Sequence, residues 1–308
     1  MFSLLDLILI LIALAVCGYR VYNHVRLWLA GQPERRGVSL GKGIWFAFRY
    51  GLIQRYFLKE SYPGTMHLFL VVGFCIPLAV IIVTQWPFIL PRSFGNVFAF
   101  LLDIIGLAAL VGCCLAVIRR YIFKPSRLDN TRDDALALIL VTSIFFLGFV
   151  IEGFRIAITQ PPNAIWNPVG LFVARVLSVL GVGGGKGSVF LHHLVWRIHF
   201  FLVLAFFAYL PYSKLFHIIS ATLNTILRST GPKAVLAPIT DFETRETFGV
   251  TTIPEFTWKQ LLDLDACTRC GRCQDRCPAY LTEKPLSPKK LIQDLKNHLE
   301  KERPALLG

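Results

Sequence analysis

The sequence predicts an all-α fold: an integral-membrane bundle of five helices followed by a small α-helical domain. Three observations predict it. First, 55% of the 308 residues are apolar and only 17% are charged. Soluble domains run about 45–50% apolar and about 25% charged. The composition therefore excludes an ordinary soluble enzyme, and equally a disordered chain, which would be polar and highly charged. Second, five apolar stretches approach the roughly 20 residues needed to cross a bilayer. Third, four of the eight cysteines crowd into residues 267–277 of a more polar tail. The shift in composition near residue 229 divides the chain into a membrane part, 1–228, and a tail, 229–308.

The first stretch, 2–19, carries Asp6 near its start. Met1 to Leu9 holds no Lys or Arg, so it lacks the basic front of a cleaved signal and reads as a retained span. The second, 66–90, has no formal charge. The third, 93–118, contains Asp103, and the fourth, 135–151, closes on Glu152. The fifth starts between 189 and 198 and runs to about 215, as one helix.

Charge sets the orientation. Residues 1–228 hold 20 Lys+Arg against 8 Asp+Glu, whereas the tail holds 12 against 11. Arg20, Arg26, Arg35 and Arg36 follow the first span, and further basic residues follow the third and fifth. By the positive-inside rule the N-terminus lies outside and the C-terminal domain in the cytoplasm, with the chain in the cell (inner) membrane. The same rule accounts for the net charge of +13 without nucleic acid.

Histidines within spans are costly and point to function. His192, His199 and His217 are spaced by 7 and 18 residues, close to whole turns, and so share one face of a continuous helix. His67 opens the second span at the depth where His217 closes the fifth. A b-type haem held by two imidazoles needs such a facing pair. No Cys-x-x-Cys-His occurs, which excludes covalent c-type attachment. A second, outer haem would use His199, with His192 as the weaker candidate, and lacks an obvious partner because position 77 is Pro. His24 and His298 read as surface residues.

Cys267, Cys270, Cys273 and Cys277, followed by Pro278, form C-x2-C-x2-C-x3-C-P. This is the bacterial ferredoxin spacing for a [4Fe–4S] cluster. Zinc sites usually pair two separated Cys units, and no second unit is present. In two-cluster ferredoxins the fourth Cys serves the other cluster. The tail therefore reads as half of a two-cluster domain. Either the chain is truncated, or a partner supplies a second motif, or Cys277 folds back onto the single cluster. Cys17, Cys75, Cys113 and Cys114 read as small core residues.

Around the motif, 256–265 reads as a lead-in helix. Ser287 caps another, with Pro288 at its first position and Leu291, Ile292, Leu295 and Leu299 on one face. Residues 228–254, with Pro232, Pro238 and Pro254, read as a linker. The glycine-rich segment 181–188 fails the phosphate-loop spacing and reads as a flexible outer loop. Asp103, Glu152 and Arg155 near the outer span ends are candidates for a proton or quinone site.

Five spans with His67 on the second and His199 and His217 eighteen apart resemble the cytochrome b (gamma) subunit of respiratory nitrate reductase. The tail CTRCGRCQDRCPAY, followed by LSPKKLIQDL, resembles the iron–sulfur part of heterodisulfide reductase-related proteins. Their fusion resembles membrane iron–sulfur oxidoreductases that link electron-transfer flavoprotein, or a similar donor, to quinone. The resemblance implies a cytochrome b bundle joined to a ferredoxin-like domain. It also implies His67 and His217 as inner-haem ligands, His199 as an outer one, and electron transfer between a soluble partner and membrane quinone. Two alternatives stand beside it: a redox- or iron-sensing membrane anchor without turnover, and a fragment of a longer oxidoreductase.

Overall fold

The computed structural model describes residues 3–34, 37–84, 95–231, 243–244 and 248–308. Phe2, Arg35, Arg36, residues 85–90 of the second expected span, Ser93, Pro232 and Pro238 lie outside the described residues. Eleven α-helices make up the described chain: α1 Leu4–Leu29, α2 Leu40–Phe46, α3 Ser61–Thr84, α4 Gly95–Val117, α5 Arg132–Thr159, α6 Pro168–Val179, α7 Gly185–Tyr209, α8 His217–Ile226, α9 Trp258–Asp265, α10 Pro278–Leu281 and α11 Pro288–Leu307. Among the described residues there is no strand, only an isolated bridge between Gln32 and Thr257.

Helices α1, α3, α4, α5 and α7 are long and apolar enough to cross a membrane. Their large apolar side chains face outward, as Leu11 (66% exposed) and Ile139 (63%) show. A bilayer permits this, because helices satisfy their own backbone there and lipid solvates the side chains.

The contacts divide the chain into two compact units. The first comprises Met1–Ala13, Leu52–Pro125 and Asn130–Tyr209. Two of its helices, α1 and α5, start on local caps. The Ser3 hydroxyl accepts from the Asp6 amide at 3.2 Å while the Asp6 carboxylate accepts from the Ser3 amide at 2.8 Å. Thr131 and Asp134 form the equivalent box at the start of α5. Small residues then let the helices approach. A Cβ at Gly73 would stand 2.3 Å from the Ala109 Cβ, and one at Gly153 would stand 2.5 Å from Val173. Close backbone approach of this kind drives packing where lipid offers no hydrophobic contrast. Buried Asp6 forms an ion pair with the half-exposed Arg197 of α7.

The second unit comprises Leu14–Gly51, Ser126–Asp129 and Leu210–Gly308. Its core is Leu27, Trp28, Phe216, Leu261, Leu262, Leu264 and Leu299. Ser287 caps α11 by accepting from the Lys290 amide at 3.1 Å, with Pro288 at the first position as the sequence predicts. Leu299 is buried, but Leu291 of the expected apolar face is 51% exposed.

Three sequence expectations change. The fifth span does not continue through His217. Pro211 offers no amide to the preceding turn, and the chain passes through two 3-10 turns, Leu210–Tyr212 and Lys214–Phe216, before α8 starts. Only His192 and His199 therefore lie on one helix face, and the depth computed for His217 along a continuous helix does not hold. The segment 181–188 is not all loop, because α7 begins at Gly185 and the Ser188 hydroxyl donates back to Val182 and Gly184 carbonyls at 2.7 Å each. Helix α6, a twelve-residue apolar segment, was not expected. Among the span cysteines, Cys113 is buried and Cys114 is exposed rather than core.

Candidate functional site

Thr257 opens α9 with a capping box to Gln260. The buried row Leu261, Leu262 and Leu264 then seats the helix, and the chain turns out of it at Cys267, whose amide donates to Leu264 at 3.3 Å. The cysteine loop needs left-handed backbone at two points, Arg269 (φ 57°) and Gly271 (φ 75°). At Gly271 the tight turn coincides with close packing, since a Cβ there would stand 2.7 Å from the Arg127 carbonyl oxygen. Arg127 also pairs with Asp275 at 2.6 Å, and Lys289 joins Asp129 at 2.7 Å and the Arg127 carbonyl at 2.9 Å. The segment Ser126–Asp129 thus clamps the loop.

All four motif thiols are free, with Cys270 and Cys273 exposed. Desolvation, then the neighbouring Cys267 thiolate, pushes the Cys273 thiol above its ordinary value. Converging thiolates repel unless a cation neutralises them, which is what iron supplies. Cys277 heads α10 with Pro278 behind it. The Gln293 side-chain amide donates to the Cys267 sulfur at 3.1 Å. Four free thiols at ferredoxin spacing, a turn-permissive loop and an amide aimed at sulfur fit a [4Fe–4S] cluster. Hydrogen bonds to cluster sulfurs stabilise the electron-rich reduced form. Gln293→Leu is therefore expected to shift the cluster midpoint potential in the negative direction, read by potentiometric EPR titration. A tenfold loss in a one-electron reduction equilibrium is about 59 mV, and the shift is expected on that scale.

Two residues before Cys267, Asp265 is the centre of a buried network that sequence reasoning missed. His24 is not a surface residue: it is 3% exposed. Its Nδ1 lies 2.8 Å from the Asp265 carboxylate and its Nε2 lies 3.1 Å from the Pro211 carbonyl. The Trp28 indole donates to Asp265 at 2.7 Å, Lys296 approaches the same carboxylate at 3.4 Å, and Phe216 stacks on His24 at 4.1 Å. Burial opposes ionisation of Asp265, and the His24 hydrogen bond and charge, Lys296 and Trp28 outweigh it, so the carboxyl is held below its ordinary value. Glu300 lies near this pair but is engaged by Arg20 at 3.2 Å and Arg303 at 2.5 Å. The arrangement is an ion-pair network rather than a metal site. The Ser220 hydroxyl donates to the Asp265 carbonyl at 3.2 Å, tying the cysteine loop to α8. His24 and Trp28 lie 241 and 237 residues from Asp265 in the chain, so no local pattern signals the network.

His67 sits on α3 with its Nδ1 2.9 Å from the Gln54 side-chain oxygen and its ring stacked on Phe57. His217 is the first residue of α8, and its Nδ1 lies 2.6 Å from the Lys214 carbonyl. Burial pushes the His217 imidazole below its ordinary value and favours the neutral form. In both residues an oxygen acceptor at Nδ1 assigns the proton there and leaves the lone pair on Nε2, the tautomer in which histidines ligate metals. His199 and His192 lie on α7 against α5, each near a backbone group of that helix, Ile144 and Ile151 respectively. Gly148 of α5 faces His199, with a built Cβ 3.9 Å from its ring, so no side chain occupies that position. Imidazoles on a membrane helix with open space opposite them have the donor chemistry that haem iron takes.

Asp103 is buried on α4 and accepts from the Val169 and Gly170 amides at 2.6 and 3.2 Å, capping α6. Glu152 takes a two-pronged bond from Arg155 at 2.8 and 2.7 Å and a third from Asn167 at 2.9 Å. The geometry joins Glu152 and Arg155 and gives Asp103 separate partners at the head of α6.

Residues 65–231, more than half of the chain, match the nitrate reductase gamma subunit family, and residues 258–279, with all four motif cysteines, match a 4Fe-4S binding domain. The EtfAB:quinone oxidoreductase of Syntrophomonas wolfei is 34% identical over 98% of this chain and 44% of its own length. The probable iron-sulfur-binding oxidoreductase FadF of Bacillus subtilis is 31% identical over 94% and 43%. A probable membrane-anchored ferredoxin of Chromohalobacter salexigens is 29% identical over 96% and 42%. The chain thus spans less than half the length of these curated relatives. No solved structure matches it. A membrane bundle with histidines on its spans, continuous with a ferredoxin-type cysteine loop, places this chain in the nitrate reductase gamma subunit family.

Proposed function

We propose that the chain carries electrons between a soluble redox partner and membrane quinone, as the membrane-bound component of a quinone-linked oxidoreductase of the heterodisulfide reductase-related kind. A [4Fe–4S] cluster bound to Cys267, Cys270 and Cys273, with Cys277 completing it or serving a second motif, and haem b bound to His67 and His217 supply one-electron chemistry. His199, with His192 as the weaker candidate, would hold a second haem. The observation that carries the reading lies in one compact unit. Helix α8, which begins with His217, is tied through Ser220 to Asp265, two residues before Cys267. The motif cysteines and the proposed ligand His217 therefore belong to the same compact unit.

The protein's own residues do the positioning. Gln54 and the Lys214 carbonyl orient the two imidazoles, Arg127 and Lys289 hold the cysteine loop, and Gln293 polarises Cys267. Glu152, oriented by Arg155 and Asn167, exchanges the proton that quinone chemistry requires, and Asp103 holds α6 beside it. The name of the S. wolfei relative supports an electron-transfer flavoprotein or similar donor, with quinone as the other substrate, and that of the B. subtilis relative an iron–sulfur oxidoreductase. The bulk of the tail lies on the cytoplasmic side of the inner membrane by charge asymmetry. The anchored-ferredoxin name of the C. salexigens relative supports a narrower reading, a tethered electron carrier that does not meet quinone. Mixing dithionite-reduced protein with a short-chain naphthoquinone or benzoquinone under anaerobic conditions separates the two. Rapid reoxidation of the haem band is expected, and a reduced protein indifferent to both quinones would sink the quinone assignment.

A further inference from the structure

We propose that α2 and the segment after α8 form a binding site for the phosphate of an anionic phospholipid headgroup. This goes beyond the electron-transfer reading and does not depend on it. Helix α2 starts eleven residues after the end of the first span. Its backbone is pressed onto the end of α8, since a Cβ at Gly43 would stand 2.1 Å from the Ile226 carbonyl oxygen. The two sides of α2 and the turn that continues it differ sharply.

One side is apolar and uncovered. Leu40, Ile44, Trp45 and Phe48 are 62%, 59%, 54% and 43% exposed. Their spacing puts them within one broad face. An apolar face with Trp at its centre, next to the end of a span, is the pattern of a helix lying in the membrane interface. The other side carries Lys42, Phe46 and Tyr50 in an i, i+4, i+8 row. With Arg228, Ser229 and Thr230 this row lines a cavity of about 440 Å³.

The cavity has the chemistry of a phosphate site. The Arg228 guanidinium lies 4.0 Å over the Phe46 ring, which fixes its plane and leaves its N–H edges available for an anion. Among the described residues neither Lys42 nor Arg228 has a carboxylate partner. Thr230 is anchored through its amide and hydroxyl to the Gly37 carbonyl at 3.0 and 2.8 Å, so the lining segment is held in place. Two cations, hydroxyls and no acid select an anion. The uncovered apolar face beside them selects one that carries acyl chains, and clusters of basic residues beside spans are attracted to anionic headgroups.

The test is native mass spectrometry of the purified full chain from micelles containing phosphatidylglycerol or phosphatidylcholine at equal concentration. One retained phosphatidylglycerol is expected, held at least about tenfold more tightly than phosphatidylcholine, with the preference lost in a Lys42→Gln/Arg228→Gln double variant. A Lys42→Arg variant restores charge and is expected to keep it. Thermal unfolding and the visible spectrum establish that the variants are folded. Equal retention of the two lipids, or unchanged preference in the folded double variant, would overturn the proposal. Displacement of the bound lipid signal by millimolar inorganic phosphate would also overturn it, in favour of a site for a soluble phosphate.

Discussion

Serine at Cys267, Cys270 or Cys273 is expected to abolish the low-temperature EPR signal of the reduced cluster, with acid-labile iron and sulfide falling together. The effect is all-or-none because each thiolate supplies one corner of the iron–sulfur core, and serine oxygen is a poor substitute for a soft ligand. The spans do not depend on these residues, so the variants should still insert and be extracted. Cys277→Ser is the informative companion. Retention of the signal would place Cys277 outside this cluster, as in a two-cluster domain, and loss would place it on the same one. Alanine at Gly271 is expected to mimic the cysteine variants in part. The position needs φ of +75° and lies against the Arg127 carbonyl, so any Cβ pushes the loop away from its clamp.

Asp265→Ala is expected to have the largest effect on stability. The carboxylate is 2% exposed and holds His24, Trp28 and Lys296. Removing it leaves a buried imidazole and indole N–H without their acceptor. Breaking such a buried pair costs about 3–5 kcal/mol. Asp265 has its folded-state pKa depressed, so its contribution is fully present above the ordinary carboxylate range and is lost as pH falls through the lowered value. Thermal unfolding in detergent should show a lower midpoint for the variant at neutral pH. The gap to the wild type should close only in strong acid. A His24→Ala/Asp265→Ala cycle should show strong coupling, because the two side chains touch. A variant as stable as the wild type at pH 7 would mean that the network contributes nothing.

The parts of the molecule read correctly from the sequence are those whose signal is local. Five spans are visible because a bilayer demands an uninterrupted apolar run, and each of them appears as a helix. The cysteine motif is visible because cluster chemistry fixes spacing within eleven residues. The cap at Ser287 and Pro288 is a two-residue pattern. The misses have a physical reason too. His24 reads as a polar residue after a span, and its burial depends on Asp265, Pro211 and Phe216, far away in the chain. His217 reads as part of a continuous helix because its spacing from His199 is near whole turns. Pro211, between them, carries the contrary signal, and backbone amide loss outweighs periodicity there. Helix α6 is too short for a span and is positioned by Asp103 from another helix. Gln293 and Arg127 acquire their roles only when α11 and the segment between α4 and α5 are brought to the cysteine loop.

In the proposed function one polypeptide joins an iron–sulfur module to a haem b bundle. The most direct measurement is the dithionite-reduced minus air-oxidised visible spectrum of the extracted full chain, with pyridine haemochrome quantification, beside His67→Ala and His217→Ala. A b-type spectrum with at least one haem per chain is expected, with loss of one haem in each variant while the cluster signal remains. A haem-free chain after growth with supplied haem, or a full haem complement in both variants, would contradict it.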